Sequence, residues 1–409
     1  MRLEPETHHW MTGTACVRVM DALSPDDQDT ARFVGGCVRN SIMDRDVDDI
    51  DIATIHTPDQ TLALLNKAQI KAVPTGIEHG TITAVAEGQA FEITSLRSDV
   101  QTLGRKAVVK FTTDWTEDAH RRDFRLNAIY ARRDGSLFDP VDGIEDARSG
   151  NVVFIGDAGS RIREDHLRIL RFYRFNAWYG RAIDPDGHAA CVALREKLRA
   201  LSAERVWKEI KKLLRAPNPT TSVKAMQEGH VINEVLPGDL DFKLFASIIE
   251  RDRGKSRAPD AILRLSALLG RSEDAMRAVL DGMKASKAET AQALAMTQAL
   301  STFGHVAPRP GMSASERARA AFRIGASGLA ARLRLDEAQG LGPIDDDLAY
   351  AECFQPARLP IKGKDLIAMG VPAGPQIGEL LERLEDIWIE SEFRLDHDAL
   401  VSRARSMLS

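Results

Sequence analysis

Cysteine, aromatic residues, long apolar runs and any excess of positive charge are scarce in this chain of 409 residues. The four cysteines, Cys16, Cys37, Cys191 and Cys353, make no C-x-x-C pair. That excludes a zinc ribbon and a disulfide framework, and predicts reduced thiols. No window reaches the roughly 18 apolar residues that a membrane helix needs. The opening Met1-Arg2-Leu3-Glu4-Pro5 has no basic stretch followed by an apolar one. The expectation is a soluble, cytoplasmic protein with no membrane partner. Aromatics are only 6% of the residues, so the core must lean on Leu, Ile, Val and Ala. Lys and Arg number 55 against 60 Asp and Glu, a net charge of −5. The chain is therefore no polycation, and a nucleic-acid surface would have to be a local basic patch on an acidic body. What remains is ordinary globular usage, 44% hydrophobic and 28% charged, which excludes a mostly disordered chain. The length suits roughly two to four domains.

Along the chain, the pattern predicts an N-terminal helix around Trp10 to Leu23 and a polar turn at Ser24-Pro25-Asp26-Asp27. Short β-like runs follow at Arg32 to Val34, Asp49 to Ala53, Thr81 to Val85 and Phe91 to Ser95, with one helix from Pro58 to Gln69. After Gly156-Asp157 the text becomes helical: Arg163 to Trp178, Ala189 to Leu201, Glu204 to Arg215, then more to about Leu341. Breaks fall at Arg215 to Thr220 and at Pro308 to Gly311. From about Pro356 there are Gly/Pro-rich turns and a closing helix near Ile377 to Ile389. The fold class is α+β: a small mixed head on a long all-helical remainder.

Four features carry chemistry. The first is Val34-Gly35-Gly36-Cys37-Val38-Arg39-Asn40, followed by Asp49-Ile50-Asp51. Glycines after a strand allow a tight turn and close approach to a ligand. A helix starting there offers free N–H groups to a triphosphate, and Arg39 adds a charge-assisted contact. Asp49 and Asp51 would share one face of a strand, where two carboxylates can hold Mg²⁺ together with substrate phosphates. A Walker-type P-loop is excluded, because no Lys-Ser/Thr follows the glycines. The second feature is Glu117-Asp118-Ala119-His120-Arg121-Arg122-Asp123-Phe124-Arg125-Leu126-Asn127-Ala128. Here Asp118, Asp123 and Asn127 can brace the turn, while Arg122 is placed to reach phosphate.

The third feature sets Asp165, Arg168, Arg171 and Arg174 three residues apart. On one helix they would sweep across half of its surface, since each step falls about 60° short of a turn. Asp165 and Arg168 could read a base edge, with Arg171 and Arg174 toward phosphate or RNA. The plain alternative is intrahelical pairing, for example Glu164 with Arg168. The fourth is a basic stretch from Arg195 to Arg215, suited to an RNA backbone or simply a solvated helix face.

Taken in order, these residues resemble the class II tRNA nucleotidyltransferases (CCA-adding enzymes) and bacterial poly(A) polymerases. The match runs through Gly35-Gly36…Arg39…Asp49-x-Asp51, Arg121-Arg122-Asp123-Phe124…Asn127-Ala128, Asp139-Pro140…Gly143 and Glu164-Asp165-x-x-Arg168-x-x-Arg171. Glu204-Arg205-Val206-Trp207 resembles the family's neck, and Gly363-Lys364-Asp365-Leu366 with Gly374-Pro375…Gly378 its tail. The resemblance implies a polymerase-β-like head (1–155), a helical neck (156–240), a body (241–345) and a tail (346–409). It implies ATP and CTP as donors, a tRNA 3′ end as acceptor, and Mg²⁺ on Asp49 and Asp51. It gives nucleotide binding to Gly36, Arg39, Arg122, Asp165, Arg168, Arg171 and Arg174, with Glu92 as a supporting carboxylate before a flexible loop near 97–111. Poly(A) polymerase, a CC-only or A-only enzyme, and a non-catalytic RNA-binding protein are the alternatives. The chain departs from the family at Asn40 (usually Asp), Asp44 (usually Gly), Arg125 and Ser95 (both usually Thr). No His-Asp phosphohydrolase motif is present, so no added phosphatase domain is expected.

Overall fold

The computed structural model describes residues 1–25, 28–99, 109–297, 309–355 and 358–408. They fall into two compact units. One is Met1–Leu201 with Ala225–Glu234, and the other is Ser202–Lys224 with Val235–Ser409.

The first unit opens with two short helices, α1 (His9–Thr12) and α2 (Thr14–Leu23), where the sequence predicted one. Next come β1 (Ala31–Val34), α3 (Gly36–Ile42), β2 (Ile50–Thr54) and α4 (Pro58–Lys67). The start of α4 is written locally. Thr57 and Gln60 exchange a capping box, and Pro58 sits at the first helical position, where its missing N–H costs nothing. Strands β3 (Lys71–Gly76), β4 (Thr81–Ala86) and β5 (Gln89–Ser95) complete one side of the sheet. Then follow β6 (Arg97–Asp99), β7 (Val109–Phe111), α5 (Trp115–His120), β8 (Tyr130–Ala131), β9 (Leu137–Phe138) and α6 (Gly143–Ser149).

The main sheet has the order β3-β4-β5-β2-β1-β8-β9, with β6 and β7 forming a separate ribbon. Its neighbours are antiparallel except β2 and β5, which run parallel with Asp51 opposite Glu92. Strand β1 is buried at all four positions, so it lies in the middle of the sheet. Strand β3 was not foreseen. It is largely exposed and contains Pro74, as an edge strand can.

The helix expected over Arg163 to Trp178 is two helices, α7 (Ala158–Glu164) and α8 (Arg168–Tyr179). Asp165 breaks it, with φ −147° and ψ 107°. Its carboxylate accepts the Leu167 N–H at 3.1 Å and its carbonyl accepts the Arg168 N–H at 3.0 Å. Aspartate competes with a continuing helix through local bonds of this kind. The scarce aromatics are concentrated behind this break. Phe124 packs on Phe154 and Phe175 with centroids 4.8 and 5.1 Å away, and Phe154 stacks on Phe172 at 5.5 Å. A neighbouring cluster is built from small and aliphatic residues, among them Val34, Ala53, Ala119 and Ala128, around Tyr130. Helix α9 (Pro185–Ala193) follows, capped by Asp184.

The second unit is helical throughout its described residues. Its first helix, α10 (Ala203–Leu214), buries Val206, Trp207, Ile210, Leu213 and Leu214. Further helices include Phe242–Gly254, Ala261–Leu268 and Ala314–Ala338, the last kinked at Gly325. Two separate cores appear, one around Leu329, Leu333 and Ile344 and one around Leu366, Leu384 and Trp388. The closing helix expected near 377–389 is Pro375–Glu390, and a further one, His397–Leu408, follows it. No helix of the described residues is long and apolar enough to cross a membrane. All four cysteines are free thiols.

Candidate active site

The bend between β1 and α3 is made by Gly35, whose φ of +71° favours glycine. A Cβ at this position would stand 3.6 Å from Oδ2 of Asp51, in space that the bend leaves open beside the carboxylate. Asp51 is half-buried in β2, whereas Asp49 lies just before the strand and is exposed. Burial first, then the carboxylates of Glu92 and Asp49, push Asp51 up to about 6, against the pull of Arg122 and Arg39. Yet Asp51 makes no ion pair with any described residue. Acid and base feel each other here across a gap. Among the described residues no three His, Cys, Asp or Glu side chains form a group that could hold an ion alone. A cation at Asp49 and Asp51 would complete its shell from substrate oxygens, as Mg²⁺ commonly does. Crowded, unneutralised carboxylates beside an open bend fit such an ion.

Arg39 lies on α3 and is only 6% exposed. Its guanidinium donates to Oδ1 of Asn127 at 2.6 Å, to the Tyr179 hydroxyl at 2.7 Å and to Oδ1 of Asn40 at 2.8 Å. It also stacks over the Tyr179 ring, with Cζ 3.9 Å from the centroid. Every one of these partners is neutral, so the positive charge is positioned without being cancelled. Burial lowers its pKa, but guanidinium keeps its proton in proteins. Asn40 explains one departure from the family pattern. Its amide accepts from Arg39 and donates to the Asp46 carbonyl at 2.8 Å, and an ionised carboxylate could not donate. Asp44, the second departure, takes a φ of +52°, which Asp tolerates better than most residues.

The Arg-Arg-Asp segment leaves α5 beside this site. Arg122 is held by Asp118 at 3.0 Å and by the Tyr130 hydroxyl at 3.2 Å, and it is close enough to pull on Asp51. Asp123 is buried and accepts from Arg171 at 2.5 Å and from the Asn127 amide at 3.3 Å. These bonds hold Asp123 below the usual carboxylate range despite its burial. Gly143 belongs to the same construction: a Cβ there would lie 2.1 Å from the Arg125 carbonyl, so only glycine fits. Its N–H and that of Ile144 are capped by Asp139, both at 2.8 Å.

Of the third feature, Asp165 occupies the break and Arg168, Arg171 and Arg174 line α8. Arg168 reaches back to the carbonyls of Arg161 at 2.8 Å and Arg121 at 3.1 Å, and it pairs with Glu164 as the plain alternative foresaw. Arg174 stacks over Phe175 at 4.3 Å. The basic stretch from Arg195 to Arg215 is divided between the units. In the first, Arg199 pairs with Glu234 at 2.6 Å; in the second, Lys211 pairs with Glu289 at 2.6 Å. Of the loop near 97–111, residues 100–108 lie outside the described residues. At its ends, Arg97 pairs with Phe111 and Ser98 with Lys110. Sequence reasoning treated Asp118 only as a brace and did not single out Tyr130 or Tyr179, which the structure places at the centre of the arginine network.

Residues 31–153 match the family described as the poly A polymerase head domain, and residues 181–240 match a probable RNA and SrmB-binding site of polymerase A. The mitochondrial CCA tRNA nucleotidyltransferase 1 of Danio rerio is 33% identical over 387 residues, covering 91% of this chain and 86% of its own. This chain belongs to the CCA-adding tRNA nucleotidyltransferase family. A CCA-adding enzyme of Leuconostoc mesenteroides is 30% identical across 93% of both chains. The crystal structure of the Bacillus stearothermophilus CCA-adding enzyme, solved with CTP, superposes with a TM-score of 0.77 at 26% identity over 96% of this chain and 97% of that one. The family's α+β architecture and nucleotidyl-transfer chemistry are therefore those of this chain.

Proposed function

We propose that this chain adds C, C and A in turn to the 3′ end of tRNA, using CTP and ATP and releasing pyrophosphate. The observation that carries this reading is the Asp51 carboxylate, unpaired beside a glycine bend and facing two held arginines across a gap. In the proposed reaction the RNA 3′-hydroxyl attacks the α-phosphate of the bound nucleotide. Asp49 and Asp51 would hold Mg²⁺, which lowers the hydroxyl pKa and neutralises developing charge when bound. The chain's own groups do the rest. Gly36 lets the phosphates approach the backbone, and Arg39 and Arg122 bring positive charge from the two sides of the bend. Electrostatic placement of this kind is the main catalytic resource in phosphoryl and nucleotidyl transfer.

Asp165 and Arg168 are assigned to base reading. Cytosine and adenine both offer an exocyclic amine to a carboxylate and an adjacent ring nitrogen to a guanidinium, which only donates. Uracil and guanine reverse both positions, leaving polar groups unpaired at a cost of a few kcal/mol. Arg171 supports this edge through Asp123, and Arg174 stands one turn further along α8. The head, neck, body and tail divisions at 155, 240 and 345 belong to the same reading, with the tail contacting tRNA. So does a cytoplasmic setting, supported by bacterial relatives and free thiols.

The test is product length and composition with tRNA ending before the first C, after one C and after both. Three discrete additions are expected. A long adenylate ladder would replace this reading with poly(A) polymerase, and no pyrophosphate release at all would replace it with RNA binding without catalysis.

A further inference from the structure

Asp118 has no exposed surface, yet it collects more donors than any carboxylate around the site. Its Oδ1 accepts from the Arg121 guanidinium at 2.8 and 2.5 Å and from the Arg97 backbone N–H at 3.3 Å. Its Oδ2 accepts from Arg122 at 3.2 and 3.0 Å and from the Tyr130 hydroxyl at 2.7 Å. A carboxylate has about four lone-pair sites, so this one is saturated. It also carries one negative charge against two guanidinium groups, which leaves a net positive charge on the cluster. Arg122 expresses that surplus toward Asp51. The second arginine leads elsewhere: the backbone carbonyl of Arg121 accepts from Arg168 at 3.1 Å. One buried acid therefore holds Arg122 directly and, through the Arg121 turn, braces one of the three groups that hold Arg168, the others being the Arg161 carbonyl and Glu164.

We propose that Asp118 is a positioning residue for nucleotide selection, aiming Arg122 at the phosphates directly and Arg168 at the base through the Arg121 backbone. The inference rests on the assignment of Arg122 and Arg168 to the nucleotide given above. Loss of the acid leaves two half-buried guanidinium groups to find new partners, and both nucleotide contacts drift together. A purely structural role predicts something different, a smaller folded fraction that scales all rates equally and leaves discrimination untouched.

The decisive experiment compares Asp118→Asn with the unaltered full chain, measuring kcat and KM for CTP and ATP and the misincorporation of UTP and GTP. Folding is followed by circular dichroism. The expected result is a folded protein whose KM rises by about tenfold or more, as for loss of a charge-assisted contact. Discrimination against U and G is expected to fall by a similar factor, while kcat moves less. A folded variant with unchanged KM and unchanged discrimination overturns the proposal. A raised KM with intact discrimination overturns its second half and confines Asp118 to Arg122. If Asp118→Asn does not fold, Tyr130→Phe decides. It removes one donor from Oδ2 and one acceptor from Arg122 with little change of volume, and should loosen KM and discrimination by about threefold; no change in either would sink the idea. Effects are read as ratios to the unaltered chain with whichever nucleotides it uses. A chain that makes only adenylate ladders therefore refutes the CCA reading without deciding this one.

Discussion

In the helical unit, several covered arginines meet their acids directly, although the fully buried Arg264 instead donates to the Leu214 and Ala216 carbonyls. Arg271 touches Asp336 at 2.6 Å, Arg334 touches Asp252 at 2.8 Å, Arg323 touches Glu385 at 2.5 Å, and Glu337 receives both Lys255 at 2.8 Å and Arg257 at 2.6 Å. In the head, by contrast, Arg39 is buried among amide and phenol groups, and Asp51 lies within electrostatic reach of two arginines without touching either. The first pattern closes on itself and leaves no charge over for a ligand. The second leaves an acid and two bases that influence one another without pairing, which suits the proposed ligand of a cation with phosphates. Charge left deliberately unmatched marks a site better than charge density does.

The sharpest way to break this contrast is Asp51→Asn. Nucleotide addition should fall by about 10³-fold or more, while the fold becomes more stable. The sign follows from the raised pKa. Taking the ordinary 3.8 for the unfolded chain and about 6 for the folded one, the native state binds the proton more tightly between those values. Stability from this group is lost as pH rises through that window, and above about 6 the charged carboxylate remains a cost that Asn removes. Melting temperature at pH 7.5 in the absence of divalent ions checks it; a destabilised variant would contradict the picture. Arg39→Met comes next, with kcat/KM for CTP expected to drop by roughly tenfold to a hundredfold through KM. Its counterpart in the helical unit is Glu337→Gln. Breaking a covered ion pair from one side costs about 3 kcal/mol, seen as a lower melting temperature, with kcat and KM of the folded protein unchanged. If Glu337→Gln impaired nucleotide binding as Arg39→Met does, the distinction between the two regions would fail. The smallest effect belongs to Glu92→Gln. Removing one like charge should lower the acid limb of the pH–rate profile by about half a pH unit, because Glu92 is one of the groups that raise Asp51.

Much of this was legible in the residue order. The glycine bend, Asp51, the paired arginines and the change from strands to helices near 156 all depend on local pattern and lie where it put them, whereas Asp49, expected on the same strand face as Asp51, falls just before the strand. Other features depended on contacts across long separations. Strand β3 has no alternation to betray it, because an edge strand with Pro74 buries little. The continuous helix expected from Arg163 fails at Asp165, where one side-chain bond outweighs helical periodicity. Tyr179 is 140 positions from Arg39, and nothing in its neighbours announces the bond between them. Asp118 was visible only as half of an ordinary i,i+3 or i,i+4 pair, since spacing cannot show that one acid serves two arginines.

Arg39 also fastens three pieces of the first unit to one another. A single flat cation joins α3 to the Asn127 turn and to the last residue of α8. Lysine, with one ammonium point, cannot span those directions. In the proposed reaction the nucleotide contacts that same cation, and so would draw on the latch that keeps sheet and helix together. Substrate binding and the cohesion of the head become two readings of one equilibrium, so CTP should raise the melting temperature of the intact chain and lose that effect when Arg39 is replaced.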